Sequence, residues 1–148
     1  MAFVCDRVQA VAEPSRTQSE PVDFSVAAAI SNEMVRLYKR QFGRGPTSTR
    51  TLFAGPDTII VVLEDTLTPT ERKLVALGEH QRLRELRMFV QYATVREFCE
   101  PVERLTGRKV RAFVSSIDTV ADGLAVETFL LHPEGYDGPS RMDLAAAK

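Results

Sequence analysis

Gly43-Arg44-Gly45-Pro46 is the segment of this chain whose residue types are best suited to holding a ligand. Two glycines let the backbone turn sharply and present N–H groups, and a guanidinium between them can grip a carboxylate, a phosphate or a bicarbonate. From Arg36 to Arg50 the chain carries Arg36, Lys39, Arg40, Arg44 and Arg50 with no Asp or Glu among them. This is a local positive patch, so Gly43, Arg44, Gly45, Pro46 and Arg50 are the candidate ligand- or partner-binding residues. The same residues also have a plainer use. Gly43 can end a helix, cations near a helix C-terminus offset its dipole, and Pro46 can shape the approach to a strand. No Gly-Lys-Ser/Thr follows, so the pattern is not a nucleotide phosphate loop.

Other combinations lead to less. Thr68 and Glu71 pair a hydroxyl with a carboxylate, but a helix capping box accounts for both. Cys99 and His80 could make a thiol and its base. On one helix, however, their 19-residue spacing is roughly 28 Å, which separates them. Glu64, Asp65, Asp118 and Asp122 lack the alternation of oxygen ligands that calcium loops need. His80 and His132 have no Cys or His at ligand spacing. No catalytic residues, no metal and no cofactor are therefore expected, and the chain reads as a non-enzyme. Arg96, Glu100 and Arg104 recur at four-residue intervals, as a solvated helix face or a docking surface would.

The elements that position these residues follow from periodicity. Phe24, Ala27, Ile30, Met34, Leu37 and Gln41 trace one stripe of a helix from about 24 to 42, capped by Asp23 or Ser25 and stopped at Gly43. Residues 49–54 and 58–63 are strands joined by Gly55-Pro56-Asp57, and the apolar run of the second suits the middle of a sheet. Thr68-Pro69-Thr70-Glu71 starts a short helix ending near Gly78. A long helix over 79–105 follows, with Leu83, Leu86, Val90, Ala93, Phe98, Val102 and Leu105 inward and a bend at Pro101. Thr106-Gly107 ends it, and strands over 109–117 and 124–131 complete the chain. The order α-β-β-α-α-β-β predicts an α+β two-layer sandwich with a mostly antiparallel four-stranded sheet. A single helical layer leaves the other sheet face either wet or covered by a second subunit, so a homodimer is expected.

The chain of 148 residues is 44% hydrophobic and 26% charged, enough for one domain with a core. Residues 1–23 read as a disordered arm, 24–131 as the domain and 132–148 as a flexible tail. The formal charge of −1 excludes a protein that wraps duplex nucleic acid by overall charge, leaving only a local patch for it. Cys5 and Cys99 cannot make a disulfide framework and read as reduced thiols. Asp6 and Arg7 interrupt any signal core, and the apolar run 59–63 is far too short to span a bilayer. A cytoplasmic protein is expected, peripheral to a membrane only through a partner and not inserted in it.

One resemblance covers most of the domain. Gly43-Arg44-Gly45-Pro46, Arg50-Thr51, Ile59-Ile60-Val61-Val62-Leu63, Leu67-Thr68-Pro69-Thr70-Glu71 with Leu74, and Thr106-Gly107-Arg108-Lys109-Val110 occur in the order and spacing of a bacterial family. The chain resembles the MpsC-like family, a component assigned to a sodium-translocating, membrane-potential-generating system. The resemblance implies a small soluble protein without established chemistry of its own. Its expected role is that of a non-enzymatic subunit or regulator working through a membrane-protein partner. A small nucleic-acid-binding module, or a small-anion sensor using the Arg36–Arg50 patch, is the alternative.

Overall fold

The computed structural model describes residues 24–146. Helix α1 (Phe24–Phe42) buries Ile30, Met34, Leu37 and Tyr38. These sit three or four apart, so one side of the helix is apolar and docks. Gln41, at the end of the expected stripe, is only half-buried, and Tyr38 takes the inner place. The helix stops where Gly43 adopts φ +76 and donates its N–H to the Lys39 carbonyl at 3.0 Å. A side chain resists that left-handed conformation, which is why glycine stands there.

Strands β1 (Ser48–Phe53) and β2 (Thr58–Glu64) form the first hairpin, and β3 (Val110–Asp118) and β4 (Leu124–Leu131) the second. The hairpins join through an antiparallel β2–β4 pairing, giving the order β1-β2-β4-β3. Side chains alternate across a strand. Ile59, Val61 and Leu63 of β2 and Ala125, Glu127 and Phe129 of β4 therefore point to the same buried side. Between the hairpins lie α2 (Pro69–Ala76), α3 (His80–Ala93) and α4 (Val95–Thr106). Phe98 and Val102 of α4 and Leu83 of α3 are fully buried. The architecture is the α+β two-layer sandwich the sequence predicts, with β2 central as expected.

Among the described residues no helix covers the opposite sheet face. Leu52, Ile60, Thr128 and Val114 form one row across all four strands, and Arg50, Val62, Val126 and Ser116 form the next. Leu52 and Val114 are 48% and 51% exposed.

Three features depart from the expected order. The single long helix over 79–105 is two helices, broken at Thr94, whose φ −113 and ψ 28 leave the α region. There the Thr94 hydroxyl donates to the Val90 carbonyl at 2.8 Å and accepts from Gln41 Nε2 at 2.8 Å. A β-branched residue bonded back to its own helix and clamped from α1 is a stop, whereas Pro101 stays inside α4. The inward face also differs from the expected one. Leu86 and Ala93 are exposed, Val90 and Leu105 are half-buried, and Arg87 and Gln91 are fully buried in their place. Finally, the stretch expected as a loose tail contains α5 (Arg141–Ala146), which sits on α4 and β3 with Met142 packed against the core. Ser140 accounts for it: its Oγ accepts from Met142 N at 3.2 Å while Asp143 Oδ2 accepts from Ser140 N at 2.7 Å. The arm over 1–23 and residues 147–148 lie outside the described residues.

The β3–β4 loop is packed tightly onto the segment after β2. A Cβ on Gly123, whose φ is +69, would stand 2.6 Å from Leu67 Cγ, and Thr66 Oγ1 donates to the Gly123 carbonyl at 2.6 Å. Gly43 has a similar φ but open space around it. Gly43→Ala is expected to cost about 1 kcal/mol from backbone strain alone, and Gly123→Ala about 3 kcal/mol because overlap adds to it. Urea unfolding of both variants checks this, and equal losses would refute the close approach.

Candidate functional site

The Gly43–Pro46 turn lies against the loop that follows β2. Arg44 crosses the gap, its Nη2 standing 3.1 Å from Asp65 Oδ2 and its Nη1 donating to the Leu67 carbonyl at 2.5 Å. Asp65 sits at φ +53, a conformation Asp tolerates better than most residues. Arg72, from the first turn of α2, also contacts Asp65 and stands 3.7 Å from Asp122 Oδ1. Three loops thus meet at one end of the sandwich through charge. The Arg44 hydrogen bond holds the Asp65 carboxyl below its ordinary range, so the pair is ionised at neutral pH. Asp65 competes with any anion for the Arg44 guanidinium.

The other members of the basic stretch are placed apart. Arg50 projects from the outer face of β1 to within 3.4 Å of Glu64 Oε1, and Arg36 lies 2.9 Å from Glu33 Oε1. Gly45 and Pro46 carry the turn past the Lys39 side chain. Arg44 and Arg50 are therefore drawn to the consecutive acids Asp65 and Glu64 rather than to one shared pocket. Arg40 instead lines a cleft of about 240 Å³ between α1 and α4, with Glu33, Arg96, Glu97 and Glu100. Its mixed charge gives no single-sign ligand field.

The most unusual chemistry is inside. Glu71 completes the expected capping box: Thr68 Oγ1 accepts from Glu71 N at 3.2 Å, and Glu71 Oε2 accepts from Thr68 N at 2.7 Å. The same carboxylate receives Arg87 twice, Nε on Oε1 at 2.6 Å and Nη2 on Oε2 at 2.7 Å. Nη2 also donates to the Thr66 carbonyl at 2.7 Å, and the guanidinium carbon lies 3.9 Å from the Phe42 ring centroid. Arg87 is fully buried. Burial pushes the Glu71 carboxyl up, but the hydrogen bonds from Arg87 and Thr68 prevail and hold it low.

Beside this pair stands a second carboxyl. Glu127, fully buried on β4, accepts through Oε1 from Tyr38 Oη at 2.6 Å and from Gln91 Nε2 at 2.8 Å. Burial pushes it up to about 7, and pushes the Tyr38 hydroxyl well above its ordinary range. Sequence reasoning missed Tyr38, Arg87, Gln91 and Glu127. Two cues were present. Glu127 holds an inward position between Ala125 and Phe129, and Arg87 and Gln91 continue the four-residue step from Leu83.

Cys99 and His80, which the sequence reading separates along one helix, lie on two helices, α4 and α3. Cys99 is buried in α4 with its thiol pushed up to about 12 by burial, while His80 Nδ1 is 2.9 Å from Thr119 Oγ1. Asp118 Oδ1 accepts from Val120 N at 2.9 Å and Ala121 N at 3.1 Å, a turn-forming use.

Removing one member of a buried ion pair strands the other. Arg87→Met is expected to lose roughly 3–5 kcal/mol, and adding Glu71→Gln should restore part of it by deleting the stranded charge while keeping an acceptor for Thr68. A double-mutant cycle by urea unfolding checks this; strictly additive losses would mean the two groups are uncoupled.

Residues 24–132, spanning α1 through β4, match the family model described as "Na+-translocating membrane potential-generating system (MpsC)". Searches of curated proteins and of solved structures find no match. The matched span contains the Gly43–Pro46 turn with its Arg44–Asp65 contact, and the Thr68–Glu71 box with its buried Arg87. A match over well over half of its length means that this chain belongs to the MpsC family.

Proposed function

We propose that this protein is a non-enzymatic, soluble subunit or regulator that acts through protein partners in a sodium-translocating, membrane-potential-generating system. The observation that carries the reading is the sheet face that no helix among the described residues covers. Its central rows present Leu52, Ile60, Val62, Val126 and Val114 beside Thr128, Ser116 and Arg50, with Glu64 and Asp118 at the ends of β2 and β3. Apolar side chains with a few polar groups among them are how a protein interface is built. The exposed Arg50 and Glu64 pair carries both signs on neighbouring strands and can exchange partners across a two-fold axis, so the occupant proposed for this face is a second copy of the chain.

Other observations support the reading. Among the described residues no helix is long and apolar enough to cross a membrane, so a role in such a system calls for contact with other components. The buried thiol of Cys99 is a poor nucleophile. The guanidiniums of Arg36, Arg44 and Arg50 already face carboxylates of the chain itself, which leaves them less available to a phosphate.

Sedimentation equilibrium on the full chain tests the dimer. Wild type is expected at twice 16.5 kDa and Val114→Lys, with an unchanged circular dichroism spectrum, at the monomer mass. A monomeric wild type would remove the second copy from this face. Capture from detergent-solubilised host membranes tests the system: an ion-translocating membrane protein should be enriched, and retrieval of nucleic acid alone would overturn the reading.

A further inference from the structure

Among the described residues the buried polar set contains one cation, Arg87, and two carboxyl groups, Glu71 and Glu127. Glu71 takes the cation through both of its oxygens. Glu127 receives only neutral donors, Tyr38 and Gln91, and both arrive on Oε1. Its Oε2 has no hydrogen-bond partner, and neither does the Ser115 hydroxyl, which belongs to its direct cross-strand neighbour on the same buried side. Two carboxylates against one guanidinium leave a net negative charge in a space closed to water, a costly arrangement. One proton cancels it.

We propose that Tyr38, Gln91, Ser115 and Glu127 form an internal proton-binding site, in which Glu127 carries an exchangeable proton on Oε2 and reports its loss to Arg87. In the protonated state Oε1 is a carbonyl oxygen accepting from Tyr38 and Gln91, and the Oε2–H donates to Ser115 Oγ. When the proton leaves to water, only the O–H bond breaks, and the Ser115 hydroxyl can rotate to donate instead. The new carboxylate then competes with Glu71 for Arg87, whose Nη1 has no partner in the protonated arrangement. Arg87 links Glu71 of the α2 cap, the Thr66 carbonyl and the Phe42 ring, so its shift reaches α2 and the end of α1.

The groups facing Glu127 come from three elements: Tyr38 from α1, Gln91 and Arg87 from α3, and Ser115 from β3, with Glu71 of α2 acting through Arg87. Burial raises the carboxyl from its ordinary 4.5 to about 7, against lowering by the Tyr38 hydroxyl, the Arg87 charge and the Gln91 amide. The folded state then binds the proton more tightly than the unfolded state. Glu127's contribution to stability is therefore fully present below about pH 4.5 and is lost as pH rises through about 7. The site stands independently of the dimer and of the membrane-system reading.

The test is NMR on the full chain with labelled glutamate carboxyls and arginine side-chain nitrogens, from about pH 5 to about pH 9. One carboxyl is expected to titrate near 7, with the Arg87 Nε signal following the same midpoint; Glu127→Gln should abolish both and flatten the pH dependence of stability. Tyr38→Phe removes a donor that favours the charged form, so the midpoint should move upward. Wild type alone can overturn the proposal if Glu127 is ionised throughout, neutral throughout, or titrates while Arg87 stays still.

Discussion

Glu71 answers two demands with one carboxylate. It accepts the free N–H of Thr68 at the start of α2, and it neutralises Arg87 from α3. A buried guanidinium is tolerable only when its charge is matched and most of its donors are used. The α2 cap therefore ties the short helix, the loop after β2 and the inner face of α3 to one another. Phe42 lies under the same guanidinium, so the end of α1 and the turn at Gly43 are referred to that point as well. Arg44 repeats the device at the surface, fastening the Gly43–Pro46 turn to Asp65 and Leu67. Two arginines, one inside and one at the rim, hold the same corner.

The parts legible in the sequence are those governed by neighbours along the chain. Gly55-Pro56-Asp57 gives the first hairpin, Thr68-Pro69-Thr70-Glu71 the helix start, and Gly43 and Gly107 the helix stops. The illegible parts depend on residues distant in the chain. The break at Thr94 is fixed by Gln41, and the burial of Arg87 by Glu71, neither of which periodicity can see. A hydrophobic stripe drawn through Leu83, Leu86 and Val90 treats arginine as an outward residue, so it rotates α3 the wrong way. Glu127 escaped for the same reason. For the candidate site, the Gly43–Pro46 residues were visible as a motif, but their acidic partners were not.

The protein's polar character is distributed in an unusual way. Its inner layer holds a tyrosine, a glutamine, an arginine and two carboxyl groups, while its outer sheet face sets Leu52, Ile60, Val62, Val126 and Val114 among a few polar residues and α3 turns Leu86 and Phe89 to solvent. Such an inversion is costly for an isolated domain and reasonable for one that works against another surface. Membership in a family named for a membrane-potential-generating system supplies a setting in which that exchange of surfaces has a use.

The strand order has a consequence for how the chain reaches this state. Each hairpin closes over a short turn, but the seam between them pairs Ile59 with Phe129, residues far apart along the chain. Closing so large a loop is slow relative to forming local turns and helices. The central pairing therefore carries the largest loop-closure cost of the sheet, and it is the pairing that holds Glu127 in the interior. Until that seam forms, the carboxyl remains in water and Arg87 has only Glu71 to meet. The polar interior is thus graded by sequence separation: 3 residues for the Thr68–Glu71 cap, 16 for the Glu71–Arg87 pair and 89 for the Tyr38–Glu127 contact, which needs the closed sheet.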